Sequence, residues 1–213
     1  MLEPGRFIVV EGLEGAGKTS AIQTIKHFIE AIPRQVTVTR EPGGTRIGEE
    51  LRSLVKKTME NEVLEARSEL LLMYAARVQL VEQVIKPALK RGDWVIADRF
   101  ELSTYAYQGG GRGISTHILD SLSTICLGNF KPDLVVFLDI SPAEGLARVK
   151  KRGKFDRIEQ EPLTFFNKVH EGYHQRIQKM DNVCIIDASA PIEFVQDSII
   201  KQLTLFLHRH DYA

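Results

Sequence analysis

Two cysteines, one tryptophan and no surplus of either charge mark this 213-residue chain. Cys126 and Cys184 are far apart and form no CxxC pair, which favours two free thiols over a metal or redox couple. Lys+Arg and Asp+Glu balance at 28 each, so no global field draws the protein to nucleic acid or to a membrane surface. No stretch approaches the ~20 apolar residues of a spanning helix. The opening MLEPGRFIVVEG lacks a long apolar run after a basic start, so no signal peptide is expected and the chain reads as cytoplasmic. At 43% hydrophobic and 26% charged residues, the composition suits one globular domain over 1–213.

What is present is a rhythm. Short apolar runs recur at 6–10, 35–39, 94–97, 134–138 and 183–186, with polar residues at or just past their ends. Helical patterns lie between them, at roughly 18–31, 45–57, 62–90, 115–127, 142–152, 161–179 and 191–208, with Pro87 expected to kink or end the third. Five buried strands alternating with helices predict an α/β protein with a parallel sheet. Ligands gather at the carboxyl ends of such strands, where Glu11, Arg40, Asp98, Arg99 and Asp139 fall.

Gly12-Leu13-Glu14-Gly15-Ala16-Gly17-Lys18-Thr19 satisfies GxxxxGK[ST] between a predicted strand and a predicted helix. Its glycines let backbone N–H groups turn around phosphate oxygens, with Ser20 in the first helical turn. Lys18 can reach the β- and γ-phosphates, and Thr19 can offer its hydroxyl to Mg²⁺. Asn167-Lys168-Val169-His170 fails the guanine-reading NKxD at its fourth position. The loop alone does not separate a kinase from a P-loop switch or another NTPase.

An acceptor pocket would decide. Arg40 in TREPGG and Arg99 in DRFELSTYAYQGGG are guanidinium forks at strand ends, suited to a phosphate or to neighbouring acids. Arg77 interrupts the apolar face of a helix one turn after Met73, where a base carbonyl or a structural ion pair would satisfy it.

VEGLEGAGKT, TREPGGT, YAARVQLVE followed by VIKPAL, DRFELSTYAYQGGGRG and DRIEQE together resemble the bacterial thymidylate kinase family over nearly the full chain. That resemblance implies a three-layer P-loop kinase fold: a five-stranded parallel sheet flanked by helices, with a short basic lid. It also implies a homodimer that converts ATP and dTMP to ADP and dTDP with Mg²⁺. Gly12 through Ser20 would bind ATP. Arg40 and Arg99 would hold the dTMP phosphate, Arg77 with Thr104 and Ser103 the thymine, and Tyr107 the deoxyribose, with Gln108 lining the same pocket. Glu14 would face the acceptor, bond the 3′-hydroxyl and help place Arg40 or metal-bound water. Asp98 would orient Arg99 or stand in the outer shell of the metal held by Thr19. Met73 departs from the phenylalanine common at its position, which puts base stacking and pyrimidine selectivity in question.

Six of the ten residues from Arg148 to Arg157 are basic. The run reads as a solvated helix end or, by its place after the fourth strand and helix, as a lid over about 148–160 that closes on ATP. The resemblance points to Arg152 as catalytic alongside Lys18, Arg99 and Glu14, with Lys151, Lys154 and Arg157 as substitutes. His170-Glu171-Gly172-Tyr173-His174 matches HExxH. Gly172 should weaken that helix, and the segment after it supplies no obvious third ligand, so a zinc protease is not expected. Asp120, His117, His208 and His210 suggest only solvated or dimer-facing positions.

Overall fold

The computed structural model describes residues 5–211 except 33, 152 and 154. Strands β1 (Phe7–Gly12), β2 (Val36–Arg40), β3 (Trp94–Asp98), β4 (Leu134–Asp139) and β5 (Val183–Asp187) alternate with helices. Among the described residues they form one all-parallel sheet in the order β2-β3-β1-β4-β5. Central β1 is buried along its whole length, as expected for a strand covered on both faces.

Strand parity decides which side chains meet which layer. Phe7 pairs with Val95, and Glu11 with Phe137. Phe7, Val9, Glu11 and Phe137 therefore share one face of the sheet. On that face Phe137 packs against Tyr173 of α8 (Leu163–Ile177), and Phe7 meets Phe100 edge-on. Trp94 has the other parity and meets Phe206 of α9 (Ile192–Asp211) at 6.2 Å. Helix α1 (Lys18–Glu30) contributes buried Ile22, Ile25 and Ile29 to the same core.

The helix expected over 62–90 begins at Ala66. It runs as α3 (Ala66–Leu80), widens into a π-turn at Val81–Ile85 and continues as α4 (Lys86–Lys90). Pro87 lacks an N–H, and the widened turn just before it absorbs that missing bond without ending the helix.

A further helical element was not expected. Residues after Asp98 form α5 (Glu101–Thr104) and a π-turn at Tyr105–Gly111, and α8 lies directly against them. A Cβ on Gly110 would sit 2.5 Å from the Lys168 carbonyl oxygen, and one on Gly172 would sit 3.2 Å from the Ala106 Cα. These glycines serve close packing, and α8 runs unbroken through Gly172. Asp120, on α6 (Thr116–Leu127), also does more than face solvent: it accepts from Tyr105 Oη and pairs with Arg176. Two shorter helices complete the frame, α2 (Arg46–Lys56) and α7 (Pro142–Lys150).

Candidate active site

The loop from Gly12 to Thr19 turns at positive φ at Gly12, Gly15 and Gly17 (142°, 79° and 89°) and delivers the chain into α1. Leu13 and Ala16 are buried, while Thr19 and Ser20 are exposed on the opening turn. A Cβ on Gly15 would fall 2.3 Å from the Gly145 carbonyl oxygen, so α7 fixes the outer side of the loop. Lys18 Nζ donates to the carbonyls of Gly12 and Leu13 at 3.1 and 2.9 Å. Burial, reinforced by nearby Arg99, pushes its pKa down to about 8.

Beside the loop opens a cleft. Glu14, Met73, Asp98, Arg99, Ser103, Tyr107 and Gln108 all line it. Arg99 organises the wall. It adopts φ 69°, a left-handed conformation that costs a non-glycine residue on the order of 1 kcal/mol. From there its guanidinium donates to Glu14 Oε1 (2.7 Å), Ser103 Oγ (3.1 Å), Tyr107 Oη (3.1 Å) and Tyr173 Oη (2.9 Å). Burial alone would push the Glu14 carboxyl up, but Arg99 and Lys18 outweigh it and hold it below its ordinary value. Glu14 thus steadies Arg99, not Arg40.

Glu11 supports this wall from below. Buried at the end of β1, it accepts from the backbone N–H groups of Phe100 and Ser103 and from Ser103 Oγ and Tyr173 Oη. Burial raises its pKa despite these partners. Sequence reasoning placed Glu11 at a strand end, but its partners come from two other elements.

Arg77 is fully buried behind the cleft. Its Nε donates to Glu41 Oε2 at 2.7 Å, and its Nη2 donates to Thr104 Oγ1 and the Phe100 carbonyl. The structural ion pair expected of this arginine is present. Among the described residues, Arg77 Nη1, Glu41 Oε1, Gln108 Oε1 and Asp98 Oδ1 have no hydrogen-bond partner.

Arg40 does not join the cleft. Its partner in the register is Asp98, which lines both the cleft and a neighbouring groove. Arg40 pairs with Glu49 at 2.9 Å while 53% exposed, and lines that groove with Thr19 and Asp98. Arg52 of α2 lines the cleft, donating to the Pro42 carbonyl at 2.7 Å. Sequence reasoning missed Arg52 because it lies inside a charged amphipathic helix.

The basic segment after α7 returns to this cleft. Asp156 and Ile158 line it, and Asp156 pairs with Lys56 at 2.7 Å. Arg157 donates to the Val55 carbonyl and to Glu69, so it is an anchor and not a cation free to reach phosphate. Arg148 donates to the Ala188 carbonyl, and Lys151 is exposed. Arg152 and Lys154 lie outside the described residues.

A glycine loop feeding a helix at one strand end, with a guanidinium-lined cleft at the next, defines a P-loop nucleotide-binding α/β protein. The thymidylate kinase family model matches residues 10–199. The chain is 53% identical over 206 residues to the thymidylate kinase of Legionella pneumophila strain Corby, covering 97% of each sequence. It is 52% identical to that of strain Paris, over the same length and share. This chain belongs to the thymidylate kinase family.

Proposed function

We propose that the protein transfers the terminal phosphoryl group of ATP to dTMP, giving ADP and dTDP. Arg99 carries this reading: one guanidinium lines the acceptor cleft and grips Glu14 of the phosphate loop. Two phosphorylated ligands held on either side of that bridge would face each other directly.

The loop amides and the start of α1 bind the donor phosphates. Lys18 exchanges its two carbonyl acceptors for phosphate oxygens. Arg99 and Arg52 hold the dTMP phosphate, whose oxygen attacks the terminal phosphorus as ADP leaves. A phosphate oxygen is already anionic, so positioning and charge stabilisation carry the catalysis and no enzyme-bound intermediate forms. Arg77 Nη1 suits the thymine carbonyl, Gln108 lines the same pocket, and Met73 lies against the ring. Tyr107 occupies the sugar side, beside Glu14.

The residues fit Mg²⁺: Thr19 and Asp98 share one groove, and Asp98 Oδ1 is a buried acceptor with no partner among the described residues. Bound there, the ion would neutralise charge on the β- and γ-oxygens. The 148–160 segment acts as a lid that excludes water, with Arg152 as its transition-state cation.

Exposed Leu71, Ile118 and Ile125 on α3 and α6 supply an apolar face for a homodimer. No helix among the described residues is long and apolar enough to cross a membrane, and the free thiols Cys126 and Cys184 suit a reducing cytoplasm.

ADP release measured with each common nucleoside monophosphate in turn tests the reading. Turnover should depend on dTMP and exceed that with dUMP or dCMP; nucleotide-only turnover would sink it.

A further inference from the structure

The HExxH stretch is not absorbed by phosphoryl transfer. His170 and His174 stand one turn apart on α8, and both turn Nε2 toward Asp139, the last residue of β4. His170 Nε2 lies 2.8 Å from Asp139 Oδ1, and His174 Nε2 lies 3.3 Å from the same carboxylate. The two Nε2 atoms are 3.2 Å apart. Phe137, two residues before Asp139 on the same face, meets the His174 ring edge-on at 5.7 Å and holds its orientation. The third ligand that the following segment lacked comes instead from a strand 31 residues upstream of His170.

We propose that Asp139, His170 and His174 bind a divalent first-row transition ion of the zinc class, separate from the Mg²⁺ of the nucleotide. A four-coordinate zinc with bonds of ~2.0–2.1 Å spaces its ligand atoms about 3.3 Å apart, close to the separations found here. Two imidazoles and one carboxylate favour zinc, cobalt, nickel or copper over magnesium or calcium. The three side chains are 28%, 36% and 29% exposed, for His170, His174 and Asp139 in turn. Solvent can therefore complete the coordination.

The site binds without hydrolysing. Glu171, which would serve as general base in a protease, is exposed and accepts from Gln175. The ion instead ties α8 to the end of β4, whose Leu138 pairs with Gly12 of the phosphate loop. This inference stands whether or not the acceptor is dTMP, because it rests on none of the cleft residues.

The test uses tag-free, chelator-stripped full-length protein titrated with Zn²⁺ by calorimetry and with Co²⁺ by visible absorption, in excess Mg²⁺. One equivalent of Zn²⁺ should bind and raise the melting temperature. His170→Gln, His174→Gln and Asp139→Asn should each weaken binding roughly tenfold or more, since even supporting residues of metal sites cost that much. Retained kinase turnover by the metal-free variants shows that they fold. Absence of saturable binding, displacement by Mg²⁺, or full stoichiometry in the double variant His170→Gln/His174→Gln would each overturn the proposal and leave only a hydrogen-bonded histidine couple.

Discussion

Arg77 Nε and Glu41 Oε2 lie 2.7 Å apart, with the two side chains 0% and 2% exposed. They join α3 to the turn after β2 behind the acceptor cleft. Removing one member of a buried pair strands the other charge, at about 3–5 kcal/mol. Arg77→Ala should therefore lower thermal stability as well as the preference for dTMP over dCMP. The double variant Arg77→Met/Glu41→Gln should regain most of the stability but not the preference. Melting curves and paired kcat/KM values separate these effects. A double variant that regained both would deny Arg77 any role in reading the base.

Arg52 and Arg40 are distinguished by the same kinetics. Arg52 lines the cleft, and a charged hydrogen bond to the acceptor phosphate is worth about 1.5–3 kcal/mol. Arg52→Ala should raise the KM for dTMP by roughly tenfold or more. Arg40 is half exposed and paired with Glu49; such surface pairs contribute about 0–1 kcal/mol. Arg40→Ala should therefore change that KM far less. The reverse order would restore Arg40 to the acceptor phosphate.

These two arginines also show where sequence legibility stopped. Spacing placed Arg40 at a strand end, as the structure does, but its register with Asp98 and its ion pair with Glu49 appear only when the elements are packed. Arg52 carried no signal, because a helix of mixed charge looks like a solvated surface until its neighbours are known. The phosphate loop and the five strands were readable because their spacing and apolar runs are local. The helical turn at 105–111 was not, since its glycines read as loop until α8 is packed against them.

Lys18 makes the site sensitive to pH. Its folded pKa of about 8 lies below the ordinary 10.5, so the free protein loses this cation as pH rises through 8. The kcat/KM for ATP should fall on that alkaline limb, and Lys18→Arg, slower overall, should lack it. The unfolded chain keeps the proton up to about 10.5, so the Lys18 contribution to stability should rise between those values. A kcat/KM profile flat across the same window would remove Lys18 from donor binding.

Glu69 ties Arg157, in the segment proposed as a lid, to Gln108 of the cleft. Buried on α3, it accepts from Gln108 Nε2 at 2.7 Å and from Arg112 and Arg157. Burial opposes its charge, but Arg157 and Gln108 with Arg112 hold its pKa below the ordinary 4.5. Its stabilising contribution is thus complete above that value and lost as pH falls below it. Glu69→Gln keeps the shape and removes the charge that fastens Arg157. The lid end should loosen, so the KM for dTMP should rise and ADP release without dTMP should become a larger share of turnover. Hydrogen exchange should quicken at 156–161 and not in β1. A variant with unchanged dTMP-independent ADP release would show that this clamp holds the fold without guarding the reaction from water.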